Sequence, residues 1–115
     1  MKKIAALAVL GLSLMAGAAF ADTMQNAFGN TVVVTYANGA VARYQFNADG
    51  GFAATAPDGT AVTGIWNLAN GELCLLPQGA SLVCTPYAGD KSVGDTWTQN
   101  GSDGSPISVT LQAGR

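Results

Sequence analysis

From residue 31 onward the chain alternates short β-branched and aromatic runs with clusters of Gly, Asn, Asp and Pro. The spacing of about ten residues is that of antiparallel strands joined by tight turns, and no helical period stands out after residue 30. Residues 31–36 and 41–46 flank Asn38-Gly39. Asn-Gly tolerates positive φ at both centres of a type I′ turn, whose twist matches its strands. The register set by such a turn puts Val33 opposite Tyr44, Thr31 opposite Phe46 and Val34 opposite Arg43. Asn47-Ala48-Asp49-Gly50 then leads into a weak strand around Phe52, and Pro57-Asp58-Gly59 forms the next turn. Residues 60–68 alternate, with Val62, Gly64, Trp66 and Leu68 on one face. Asn70-Gly71 leads into residues 72–76, and Gln78-Gly79-Ala80 into residues 81–84. After a longer link come residues 96–98 and 107–111. About eight short strands are predicted, an all-β antiparallel meander arranged as a barrel or a sandwich.

The first 21 residues follow a different pattern. Met1-Lys2-Lys3 precedes an uncharged, Ala- and Leu-rich stretch that closes with Ala19-Phe20-Ala21. A cationic start, an apolar run and a small-x-small end describe a cleavable export signal, with Asp22 as the mature N-terminus. The run is short for a membrane-spanning helix, which needs about 20 apolar residues. The chain therefore divides into a signal peptide (1–21), an N-terminal extension (22–30) and a single all-β domain (31–115). A periplasmic or secreted location is expected, with no stable membrane insertion after cleavage.

Charge is scarce. Without residues 1–21 the cations are Arg43, Lys91 and Arg115, against seven acids, a net charge of −4. That balance argues against nucleic acid as a partner, because phosphate binding needs clustered cations. The sequence has no histidine, which removes the commonest metal ligand and general base together. A serine triad and a Cys–His pair are thereby excluded. Lys91 and Ser92 are direct neighbours, which points their side chains apart in an extended segment. No cofactor, no metal and no catalytic residue is expected. Asp49, Asp58 and Asp103 each precede a glycine in a turn. None of these turns carries the alternating acids and terminal Glu of a calcium loop, so hairpin chemistry accounts for them.

Cys74 and Cys84 are the informative pair. A three-residue loop at Gln78-Gly79-Ala80 sets Pro77 opposite Ser81 and hence Cys74 opposite Cys84, within disulfide reach. On the chain-entropy model the bond stabilises the fold by about 2.5–3 kcal/mol. A reactive thiol is disfavoured, since nothing nearby would lower its pKa. Trp66 falls on the apolar face of its strand and reads as core, whereas Trp97 lies between Thr96 and Thr98 and reads as rim. The link from Tyr87 to Trp97 also carries Asp90, Lys91 and Asp95. Long polar loops with aromatic residues are where binding usually resides. Tyr87, Asp90, Lys91, Asp95 and Trp97 are therefore the candidate binding surface. The remaining surface is expected to be Ala, Thr, Ser, Asn and Gln, with few anchors for a partner.

The run Phe46-Asn47-Ala48-Asp49-Gly50-Gly51-Phe52, with Gly64-Ile65-Trp66 and Gly71-Glu72-Leu73-Cys74, resembles small exported bacterial proteins of uncharacterised families. That resemblance implies export and β structure and no site residues. In size, signal and single disulfide the chain is also similar to periplasmic lysozyme inhibitors, small β-barrels, a likeness of architecture only. Together these features predict a non-enzymatic binding or interaction module of the bacterial envelope, its partner an unknown protein or glycan. Two alternatives are a secreted carboxylate-dependent hydrolase acting on cell-wall glycan and a structural, stress-related or lysozyme-inhibitor-like envelope protein. Intact mass of the exported protein should correspond to a chain beginning at Asp22; recovery of a membrane-retained chain that still carries residues 1–21 would overturn the localisation.

Overall fold

In the computed structural model, which describes residues 22–115, each β-branched run forms a strand and each Gly, Asn or Asp cluster forms a turn. The expected signal peptide lies outside the described residues. One short helix, α1 (Thr23–Ala27), precedes β1 (Thr31–Thr35), β2 (Val41–Phe46), β3 (Gly51–Thr55), β4 (Ala61–Ala69), β5 (Glu72–Pro77), β6 (Val83–Pro86), β7 (Thr96–Asn100) and β8 (Pro106–Gln112). The eight strands make one antiparallel sheet in the order β6-β5-β4-β3-β2-β1-β8-β7. Because β1 pairs with β8, the meander curls into a nearly closed barrel. The β6/β7 seam alone lacks a strand ladder.

Turn chemistry sets the registers. Four loops, at residues 36–40, 47–51, 56–60 and 101–105, share one pattern. The first residue donates its N–H to the carbonyl of the fifth, and the fourth, a glycine at positive φ, donates back to the first. In the middle of each, Asn38, Asp49, Asp58 or Asp103 accepts from the backbone N–H two residues on, at 2.9–3.0 Å. This local bond is the reason Asx residues favour such turns. The three Asp-Gly loops are thus hairpin turns whose carboxylates are engaged by their own backbone.

The same geometry corrects the first hairpin. Asn38 does not adopt positive φ, so Ala37-Asn38-Gly39 forms a three-residue loop in place of a two-residue type I′ turn. The register moves by one, to Val32↔Tyr44, Val33↔Arg43 and Val34↔Ala42. A one-residue slip exchanges the faces of a strand, so Val32 and Val34, not Val33, join Tyr44 in the interior. At Asn70-Gly71 both residues do take positive φ (55° and 77°). They close the two-residue turn that pairs Ala69 with Glu72.

β4 is the longest strand, pairing with β3 through residues 61–65 and with β5 through residues 64–69. The two ladders overlap at Gly64 and Ile65. A Cβ at Gly64 would lie 2.3 Å from the Leu76 carbonyl oxygen and 2.8 Å from the Phe52 ring. Glycine is thus the residue that lets β5 and the Phe52 ring approach the β4 backbone this closely.

The interior has two buried clusters. Phe46, Phe52 and Leu111 meet Met24 and Ala27 of α1 at one end, while Val34, Ile107 and Val109 fill the other. Residues 22–30, expected as an extension, thus include a helix built into the core. Asp22 caps α1 by accepting from the Met24 N–H at 3.1 Å, a signal present in the sequence as Asp at an N-cap. Cys74 and Cys84 are direct cross-strand partners, Cα atoms 4.1 Å apart, and form the disulfide. No helix among the described residues is long and apolar enough to cross a membrane. Gly64→Ala should lower stability by roughly 3 kcal/mol, the upper range for overpacking, in a urea unfolding curve; a change under 0.5 kcal/mol would show that this close approach tolerates a side chain.

Candidate functional site

The link between β6 and β7, residues 87–95, crosses the α1 end of the barrel and is stitched to the helix. Thr23 Oγ1 donates to the Ala88 carbonyl and accepts from the Lys91 N–H at 2.8 Å. Asn26 Nδ2 donates to the Lys91 carbonyl at 2.8 Å. Tyr87 donates its hydroxyl proton to Asp22 Oδ1 at 2.7 Å and accepts from the Met24 N–H at 2.9 Å. Further on, Asp95 Oδ2 accepts from the Ser92 N–H at 2.9 Å and closes a turn. Gly94 then donates to the Leu111 carbonyl, and the Leu111 N–H donates to the Asp95 carbonyl, so the link rejoins β8.

These bonds separate the five candidate residues into different roles. Lys91, Asp90 and Trp97 come together: the Lys91 ammonium lies 5.4 Å from the centre of the Trp97 ring and 3.6 Å from Asp90 Oδ1. A cation over an indole face is attracted by the ring quadrupole. Tyr87 is half-buried against α1 with its hydroxyl already engaged, and Asp95 is a turn cap. Trp97 is also half-buried, packing on both core clusters while its Nε1 donates to Gln99 Oε1 at 2.7 Å. Its ring is part of the barrel wall, with one face under Lys91. Trp66, likewise half-buried, packs against Phe28 and Phe46 and donates from Nε1 to the Asn47 carbonyl at 2.9 Å.

Sequence reasoning missed two features. The first is the seam, bridged by Gln99 Nε2 donating to the Pro86 carbonyl at 2.9 Å. A lone Gln in a polar strand carries no signal for such a role. The second is a partly open cavity of about 140 Å³ that reaches this seam, its apolar wall including Met24, Val34, Leu75, Trp97 and Val109. Tyr44 and Tyr36 also line it. Burial, then the charge of the neighbouring Tyr36, raises the Tyr44 pKa far above its ordinary range.

The outer surface also differs from expectation. Ile65 (59% exposed), Leu76 (41%) and Leu82 (59%) stand in solvent, Ile65 and Leu76 being direct cross-strand partners, so apolar anchors are present outside the link. The alternation that puts Gly64 and Trp66 inside necessarily points Ile65 outward. Glu72 lies close to the two cysteines, the only such group of potential metal ligands found among the described residues. Their sulfurs are joined to each other in the disulfide, which leaves no thiolate to ligate.

The chain matches no family model, no curated protein and no solved structure, so its functional reading rests on its own residues. Burial, and then the hydrogen bond to Asp22, pushes the Tyr87 pKa up to about 12 from an ordinary 10. A raised value means that the folded state holds its proton more tightly. The resulting stability is complete below about pH 10, the unfolded value. It is lost as the pH rises through about 12. Unfolding midpoints followed from pH 9 to 12 should fall more steeply for the wild type than for Tyr87→Phe; equal slopes would show that the Tyr87–Asp22 contact does not hold α1 in place.

Proposed function

We propose that the protein is an exported binding module of the bacterial envelope, its contact face formed where the 87–95 link crosses the α1 end of the barrel. The observation that carries this reading is the grouping of Lys91, Trp97 and Asp90 on a backbone fixed from both sides. A cation held over an indole and flanked by an acid offers a partner apolar area together with oriented charge. Because Thr23 and Asn26 already hold the Lys91 backbone, little conformational entropy remains to be lost on binding. A protein or glycan partner suits a face with one aromatic anchor and few charges.

The arrangement of the acids supports binding over hydrolysis. A two-carboxylate glycosidase needs its pair facing across a cleft about 5–9.5 Å apart. Here Asp49, Asp58 and Asp103 accept bonds within their own hairpin loops, Asp22 caps α1 and Asp95 caps the link turn. Asp90 pairs with Lys91. The disulfide agrees with an oxidising compartment, and the charge balance keeps nucleic acid outside the proposal.

Affinity capture from native envelope, run in parallel with wild-type and Lys91→Ala protein, tests the face. A partner retained by the wild type should be lost from Lys91→Ala, while the thermal midpoint falls by no more than about 6 °C, the worth of one cation–π contact of about 1 kcal/mol. Equal retention by both proteins would move the contact face elsewhere. Trp97→Ala is unsuitable for this purpose, because truncating a wall residue also opens the core, at a cost of about 3 kcal/mol or more.

A further inference from the structure

We infer that the barrel interior is a second, separate binding site, which takes a small uncharged molecule with an apolar body of about six carbons and one hydroxyl head. Three observations on the cavity lead to this class. Its volume of about 140 Å³ is close to that of the roughly 150 Å³ apolar cavity that accommodates benzene, and it is too small for a long acyl chain. Its walls are aliphatic and aromatic, so an apolar body gains from leaving water. No charged side chain lines it.

The three cations of residues 22–115 are all placed elsewhere. Arg43 is exposed on the outer face of β2, Arg115 bonds the Asn30 carbonyl and Asn47 Oδ1, and Lys91 lies over Trp97 beside Asp90. A carboxylate or phosphate head entering the barrel would lose its hydration without gaining a counter-charge. The polar side chains in the wall are instead neutral: Thr23 and Gln99 are engaged elsewhere, and the hydroxyls of Tyr36, Tyr44, Thr85 and Ser102 also line the cavity. A tyrosine hydroxyl both donates and accepts. Both tyrosines line the same cavity, so their hydroxyls offer protons and lone pairs there, the complement of an alcohol or phenol. Tyr44 stays protonated through the physiological range, so the head remains a hydroxyl site.

This inference is tested apart from the Lys91 face, since its ligand and readout differ, although Trp97 and Tyr87 border both. The probe is 1-hexanol, with hexanoate at pH 7 as the charged molecule of the same length. Binding is followed on the wild-type protein through the methyl NMR signals of Val34, Leu75 and Val109. 1-Hexanol should shift these signals saturably, and hexanoate should bind at least ten-fold more weakly. Tyr44→Phe, checked for an unchanged fold by its methyl spectrum, should weaken hexanol about five-fold, the worth of one hydrogen bond. Absence of saturable shifts from hexanol, shifts confined to surface residues, or equal binding of hexanoate would overturn the proposal. Unaltered hexanol affinity in Tyr44→Phe would remove the hydroxyl head from it.

Discussion

The unpaired seam between β6 and β7 is the constraint on which the rest of this structure depends. An eight-stranded sheet that curls on itself either joins its last two strands or leaves two facing edges, each with backbone groups in need of partners. Here β6 spans only Val83–Pro86 and has a ladder on one side alone. Such a strand is weakly held, and its attachments are made by other means. The disulfide ties it to β5, Gln99 reaches across to the Pro86 carbonyl, and the link that leaves it is bonded to α1. The Tyr87 N–H, just after β6, also donates to the Gly71 carbonyl at 3.0 Å. Proline at the end of the edge strand removes one donor that would otherwise face the seam unpaired.

Closure in turn explains the distribution of polarity. A barrel of eight strands has an interior just wide enough for side chains to fill, and with so little room inside, every charge goes outward. Residues 22–115 carry ten charged side chains, and six of their seven carboxylates bind turns, a helix cap or one lysine in place of a core partner. The α1 helix supplies what the strands lack at one end. Met24 and Ala27 enter the space between Phe46, Phe52 and Leu111, whereas at the other end Tyr36 and Val34 have no helix over them among the described residues. The cavity is the consequence of plugging one end and leaving one seam without a ladder.

The parts legible in the sequence were those fixed by local chemistry. Strand positions followed from β-branched runs between turn residues, and the Cys74–Cys84 pairing from counting back from a three-residue loop. The first hairpin was misread for a reason with physical content. Asn-Gly fits both a two-residue I′ turn and the last two positions of a three-residue loop, and the choice rests on whether Asn takes positive φ. Asn70 does and Asn38 does not. Beside Asn38 the alternation of Val32-Val33-Val34 could not decide the register, because three consecutive valines look alike from either face. The helix escaped because five residues are too few to show a period, although Asp22 stood where an N-cap would. The cavity and the Gln99 bridge arise from closure between distant strands, which no local pattern records.

Trp97 shows why position in the fold matters more than residue type for reading a site. As a tryptophan between two threonines it looked like a rim residue, and its strand does alternate polar outward positions with Trp97 and Gln99 inward. Its ring belongs at once to the core, to the cavity wall and to the underside of Lys91. Residues that share a partner are not additive under mutation, so truncating this ring removes three sets of contacts in one step and apportions none of them. Lys91 on the outside and Tyr44 on the inside each touch only one of these environments. The proposed contact face and the cavity are therefore separable at those two positions and inseparable at the tryptophan between them.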